Sequence, residues 1–232
     1  RINLAYIGMG TQGLRELPPL LESPDIQVVA VCDPNRDSTD YVDWSRHGLR
    51  DQIRRFLNRP GWGGEQGIRA GREAGREVVE AYYSGNKPSG NYKGCAVYAD
   101  FRELLEKEKG LDAVKIMTPD HLHATIAIAA MKKGLHAATH KPVSNFVQEA
   151  RLTIRSAAES KAATHLLAWN SGEGVALARS WIDSGVIGTL RQVHNWIDKP
   201  IWPQWTSAPT DTPPVPAGFD WDLWLGPSLE RP

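Results

Sequence analysis

Apolar residues fall in short blocks along this chain, and the period of the blocks alternates. Ile2 to Ile7 is an apolar stretch that runs straight into Gly8, Gly10 and Gly13. Leu14 to Leu21 follows with helix-like spacing, and Ile26 to Val31 is a second apolar block ending in Cys32 and Asp33. Near-continuous apolar blocks of this length predict strands buried on both faces, and the intervening segments predict helices that cover them. The rhythm breaks over residues 37–94, which hold Gly61-Trp62-Gly63-Gly64, a charged segment Gln66–Tyr83 and a Gly/Asn/Pro/Ser loop at 84–94. We read 37–94 as an insertion in which one helix, near Glu73–Tyr83, belongs to the parent fold. Arg69, Arg72 and Arg76 with Glu73, Glu77 and Glu80 read as a solvated charge ladder.

Alternation resumes with a strand at Cys95–Tyr98 and a helix at Phe101–Lys107, for which Asp100 is the N-cap and Glu103 the capping-box residue. Strands follow at Asp112–Met117, Leu135–Thr139 and His165–Ala168. Between them lie helices at Leu122–Lys133, stopped by Gly134, and at Asn145–Ser160. Strands alternating with helices predict an α/β fold, a Rossmann-type doubly wound parallel sheet over residues 1–168. Ligands of such sheets sit at the carboxyl ends of the strands, so the loops after Ile7, Val31, Met117 and Thr139 are expected to share one crevice. Beyond residue 168 a helix is predicted at Val175–Ser184, ended by Gly185, and a strand at Arg191–Ile197. Lys199–Pro232 is rich in Pro and Trp, without clear period, and reads as an extended arm that is functional or packed against something further. Residues 169–232 are assigned to the beginning of a second, α+β substrate and oligomerisation domain.

The glycines carry chemistry because of where they stand. A Gly-x-Gly-x-x-Gly run between a strand and a helix, with an acid at the end of the next strand, is the fingerprint of a dinucleotide-binding unit. Gly8 permits the turn, Gly10 lets backbone approach a diphosphate, and Gly13 lets the helix pack close to the sheet. Thr11 and Gln12 open that helix, whose free N–H groups and dipole favour phosphate. Asp33 lies twenty residues past Gly13 and is suited to the adenosine ribose hydroxyls. Its charge favours NAD over NADP, a preference that nearby Arg36 weakens.

Composition narrows the classes. The 232 residues carry 27 basic and 27 acidic side chains, which gives no nucleic-acid footprint and no basic membrane face. No apolar run approaches a membrane span. Cys32 and Cys95 form neither a metal-ligand spacing nor a disulfide framework, and Cys32 reads as a core residue. That cysteine usage fits a reducing compartment, so cytoplasm is the expected one, and the first residue is not Met, which keeps periplasm open. Six of the nine Trp lie between Trp181 and Trp224, so the last part of the chain is different material from the first. Sugar-ring faces and ordinary packing are both open for them, and packing is favoured.

The separated motifs add up in order: Gly8-Met9-Gly10-Thr11-Gln12-Gly13, Cys32-Asp33-Pro34-Asn35, Asp112-Ala113-Val114, Thr118-Pro119-Asp120-His121-Leu122-His123, His140-Lys141-Pro142 and Ile182-Asp183-Ser184-Gly185-Val186-Ile187-Gly188. This set resembles the glucose–fructose oxidoreductase / inositol dehydrogenase (Gfo/Idh/MocA) family, outside 37–94. The resemblance implies a two-domain, nicotinamide-dependent oxidoreductase acting on a small-molecule carbohydrate such as a sugar or polyol, often as a homo-oligomer. It implies that Gly8, Gly10, Thr11, Gln12 and Asp33 line the dinucleotide and that Thr118, Pro119 and His121 flank its ribose and nicotinamide end. It implies that Lys141 is catalytic. Position alone leaves Lys141 open between a proton relay at the crevice and an ordinary surface lysine.

The chain departs from the family at two places. His140 stands where the family usually has Glu, and a His there replaces some of that residue's bonding to the cofactor. No Asp-x-x-x-His motif occurs beyond residue 168, where the family's second half carries one, so the chain reads as the N-terminal portion of a longer protein that includes the lead-in Trp221-Asp222-Leu223-Trp224-Leu225-Gly226-Pro227. His121 and His123 are poorly spaced for a shared metal, and no metal is expected. Asp120 reads as a helix N-cap, His123 as a helix residue with local bonds, and His136 and His165 as structural. Asn170 is a candidate substrate contact. Two other readings stay open: a glycoside hydrolase that oxidises its sugar transiently with bound NAD, and a non-catalytic nucleotide-binding protein.

Overall fold

The structure is a computed structural model that describes residues 1–43, 45, 47–86, 92–168, 172–194, 196, 207 and 209–231. Six strands form one sheet: β1 (Ile2–Ile7), β2 (Ile26–Cys32), β3 (Ala96–Tyr98), β4 (Ala113–Ile116), β5 (His136–His140) and β6 (Thr164–Leu167). Their order is β3-β2-β1-β4-β5-β6, and every neighbouring pair is parallel. The order reverses between β1 and β4, so a crevice opens at their carboxyl ends. The doubly wound Rossmann sheet is therefore present as the alternating blocks require.

Side chains alternate across β1, so each face of the sheet packs its own core. Leu4 and Tyr6, with Val28 and Val31 of β2, face α1 (Thr11–Glu22), α2 (Gly48–Leu57) and α3 (Arg72–Gly85) through Leu14, Leu17, Leu49, Ile53 and Val78. Ala5 and Ile7, with Ala30 and Cys32, face α4 (Phe101–Lys107) and α5 (His123–Lys132) through Leu104, Ile126 and Met131. Pro18 and Pro19 lie inside α1. Each lacks a donor for the helix ladder, yet Leu14, Leu17 and Leu21 on the buried face hold the helix to the sheet. α6 (Val147–Ser160) and the short α8 (Trp221–Leu225) complete the helices of this unit.

Several expectations need correction. Among the described residues, the 37–94 region holds a further helix besides the one expected near Glu73–Tyr83: α2 buries Leu49 and Ile53 at i, i+4 spacing. The charge ladder is only partly solvated. Arg76 and Glu73 pair at the surface, but Arg72 donates to the Asp33 and Pro34 carbonyls and Glu80 accepts from the Cys95 N–H. Asp120 begins a 3-10 turn, Asp120–Leu122, and makes no side-chain cap bond. Residues 191–194 form no strand; 195 and 197 lie outside the described residues.

Two compact units divide the chain, 1–167 with 215–232, and 168–214. The second unit contains α7 (Gly172–Asp183). The end of the Trp- and Pro-rich segment thus packs with the sheet rather than reaching out as an arm. The Arg36 N–H donates to the Gly218 carbonyl at 2.8 Å and the Asp220 N–H to the Pro34 carbonyl at 3.1 Å. Asp220 caps α8 by accepting from the Leu223 N–H, and the Trp221 and Trp224 rings stack at 5.0 Å.

Candidate active site

The glycine turn is built by close backbone approaches. Gly8 has φ of +101°, and a Cβ there would lie 2.5 Å from the Met117 backbone carbonyl carbon. A Cβ on Gly13 would lie 2.1 Å from the Gly8 carbonyl oxygen, so α1 can seat on β1 only with glycine at 13. At Gly10 the surroundings are open, and the first atom a Cβ would meet is the Tyr41 ring edge at 3.3 Å. α1 starts after Gly10 with no side-chain cap and no acidic residue in its first turn. Its N–H groups at Thr11 and Gln12 therefore face the crevice as an anion site. Met9 is fully buried, and its carbonyl accepts from the Gly71 N–H at 2.8 Å, which ties the turn to the start of α3.

Asp33 points its carboxylate at this turn. Oδ2 accepts from the Met9 N–H at 2.6 Å and Oδ1 from the Asn35 N–H at 2.8 Å. Burial pushes its carboxyl up to about 6, against the opposing pull of those two N–H groups and of Arg72. Tyr41, from the inserted region, bonds Asn35 and is itself raised to about 12, by burial first.

On the other side of β1, Thr118, Pro119 and His121 follow β4, while His140 ends β5 and Lys141 follows it. Lys141 is exposed, and its N–H donates to the Leu167 carbonyl at 3.2 Å. His123 is fully buried between the two loops, with Nδ1 2.5 Å from the Pro142 carbonyl and Nε2 2.8 Å from that of Thr118. A neutral imidazole donates to one of these, and only an imidazolium donates to both. His121 turns to the C-terminal segment, its Nε2 2.7 Å from the Trp224 carbonyl.

Beneath this side lies a cluster that the sequence pattern did not single out. Lys115 is 6% exposed in the middle of β4, and its Nζ donates to Glu16 Oε2 at 2.8 Å. Gln12 Nε2 donates to Glu16 Oε1 at 2.8 Å. A lysine inside an apolar strand was the available signal, because a buried ammonium requires a counter-charge. Nothing local in sequence pairs it with residue 16.

The structure thus brings Gly8, Gly10, Thr11, Gln12, Gly13, Asp33, Thr118, Pro119, His140 and Lys141 to the carboxyl edge of four adjacent strands. His121 also sits at that edge but is engaged by Trp224. Asn170 lies outside the described residues. Among the described residues no three His, Cys, Asp or Glu side chains are grouped to hold a metal ion.

A dinucleotide fits these residues. Gly10 leaves a space that a Cβ would fill toward Tyr41. Thr118 Oγ1, in the loop after β4, is a buried polar atom with no hydrogen-bond partner. Orphaned buried groups of this kind call for a ligand that supplies the missing bonds.

Comparison with known proteins agrees. Residues 60–167 match the model of GFO_IDH_MocA, the oxidoreductase family with an NAD-binding Rossmann fold. The matched span, just under half of the chain, lies within the Rossmann sheet and resembles that family. The glycine turn and Asp33 precede the matched span and rest on the geometry above. Levoglucosan dehydrogenase of Pseudarthrobacter phenanthrenivorans is 35% identical over 94 residues, 40% of this chain and 24% of that protein. Glycosyl hydrolase family 109 protein 2 of Akkermansia muciniphila is 26% identical over 191 residues, 82% of this chain and 32% of that protein. The matches therefore span a third or less of these relatives' lengths. The WlbA dehydrogenase of Chromobacterium violaceum, solved with NADH and UDP-GlcNAcA, superposes with a TM-score of 0.56 at 16% identity, covering 81% of this chain and 41% of that one. At that identity the likeness is one of fold.

Proposed function

We propose that this Gfo/Idh/MocA domain binds NAD across its glycine turn and belongs to an enzyme that transfers hydride between NAD(H) and a sugar, polyol or related carbohydrate. The observation that carries the cofactor reading is the buried Asp33 carboxylate bonded to the Met9 N–H inside an open turn. A negative group there accepts from ribose hydroxyls and repels a 2′-phosphate, so NADP is the weaker ligand. Bound NAD supplies the hydride acceptor. Gly10, Thr11 and Gln12 hold its diphosphate, Thr118, Pro119, His121 and His140 line the nicotinamide side, and Lys141 exchanges the proton of the substrate hydroxyl. Asn170 is assigned to the substrate, the stretch 169–232 contributes to its domain, and the protein is expected to form a homo-oligomer.

Among the described residues no helix is long and apolar enough to cross a membrane. Titration with NAD and NADP tests the cofactor: tighter binding of NAD is expected, and failure to bind either removes the redox reading. Lys141→Ala is expected to lower turnover on the preferred sugar at least a hundredfold, the scale of a lost proton-transfer group, with NAD affinity kept. Undiminished turnover would leave Lys141 a surface residue. The family 109 relatives support a second reading, glycoside hydrolysis by transient oxidation, because one of them matches 82% of this chain. Sugar release with no net NADH formation would select it.

A further inference from the structure

Three elements meet at one carboxylate. Glu16 lies one turn beyond Gln12 on α1, the helix whose N-terminus faces the crevice, and it accepts from Lys115 of β4 and from Gln12, each at 2.8 Å. Its Oε1 also stands 3.5 Å from His140 Nε2, the last side chain of β5. That nitrogen is buried and completes no hydrogen bond in this geometry. The other ring nitrogen, Nδ1, is 3.2 Å from the Lys141 carbonyl. His140 is therefore held between the carboxylate below it and the backbone of the residue that exchanges the proton. Lys115 is itself fixed, with its Nζ 5.3 Å from the centre of the Tyr6 ring.

The sign of the charges limits what position 140 can hold. One carboxylate and one ammonium already occupy the cluster, and the next group faces the carboxylate. A donor such as imidazole is accommodated there. A second carboxylate within 4 Å would repel Glu16 in partly buried surroundings, where screening by solvent is weak.

Resting on the NAD reading above, we propose that Glu16 is a positioning residue: anchored by Lys115, it orients His140 at the nicotinamide side of the crevice and dictates that residue 140 be a hydrogen-bond donor rather than an acid. Glu16 does not touch the cofactor. It couples the helix that holds the diphosphate to the strand that ends in Lys141.

A charge swap tests this in the full chain, with NAD affinity measured by calorimetry and the thermal midpoint of each apo variant recorded beside it. His140→Glu is expected to weaken NAD at least tenfold. The double variant Glu16→Gln/His140→Glu, which moves the single carboxylate from helix to strand, is expected to return to within threefold of the wild type and to regain the lost midpoint. Losses that multiply in the double variant would overturn the proposal. Should His140→Glu fail to fold, the cycle of Glu16→Gln and His140→Gln replaces it. There the double variant is expected to be no weaker than the worse single variant, and independent losses overturn the assignment. A wild type that binds no NAD would overturn the cofactor reading itself, whereas a wild type that binds NAD with multiplicative losses would remove only the role of Glu16.

Discussion

Asp33 and Glu16 flank the same glycine turn, the first buried and the second partly buried, yet their environments push them in opposite directions. Asp33 follows β2 with its oxygens on two backbone N–H groups, and burial wins, raising it to about 6. For Glu16, burial is likewise the largest single influence, but the Lys115 and Gln12 hydrogen bonds together with the Lys115 and His140 charges outweigh it and hold the carboxyl below its ordinary value. Backbone dipoles satisfy hydrogen bonding without neutralising charge; a cation at bonding distance does both. Asp33 therefore keeps a costly buried charge bonded to backbone N–H groups, whereas Glu16 spends its charge on an internal ion pair with Lys115.

The largest test of this contrast is Glu16→Leu. It strands the Lys115 ammonium in the interior, and a loss of about 3 kcal/mol or more in urea unfolding is expected. Adding Lys115→Met should recover most of it. A loss near zero for the single variant would show that the pair is no tighter than a surface contact.

The pH dependence of stability separates the two groups next. Because Asp33 is raised in the folded chain, its contribution is fully present below its unfolded value of 3.8 and is lost as pH rises through about 6. That amounts to a few kcal/mol. Glu16 runs the other way, contributing above its unfolded value of 4.5 and losing that contribution on acidification. Wild type compared with Asp33→Asn should thus lose about 2 kcal/mol relative to the variant between about pH 4 and pH 7.5. Parallel curves would refute the burial cost of Asp33. The smallest effect belongs to Arg76→Ala, which breaks the Arg76–Glu73 contact at 2.8 Å with Arg76 half exposed. Less than about 0.5 kcal/mol is expected from the same unfolding measurement.

Much of the nucleotide-binding half was legible from the chain itself. Gly8 and Gly13 announce the turn because only a missing Cβ permits those backbone approaches, and this requirement is local. The alternation of apolar blocks announces the parallel sheet for the same reason, since each strand must be buried on both faces. Asp100 caps α4 through the Arg102 N–H as its neighbours imply. The helix at Gly48–Leu57 was missed because its apolar spacing is short and lies among arginines and an acid.

What could not be read were the pairings between distant elements. Lys115 and Glu16 are 99 residues apart, and the contacts of Asp220 with Pro34 and of Trp224 with His121 join positions farther apart still. The order of residue types fixed which backbone conformations were possible and which ends of the strands would face a ligand. The folded sheet alone decided which charge meets which counter-charge, because Coulomb and hydrogen-bond energies depend on separation in space and a linear pattern does not carry that separation.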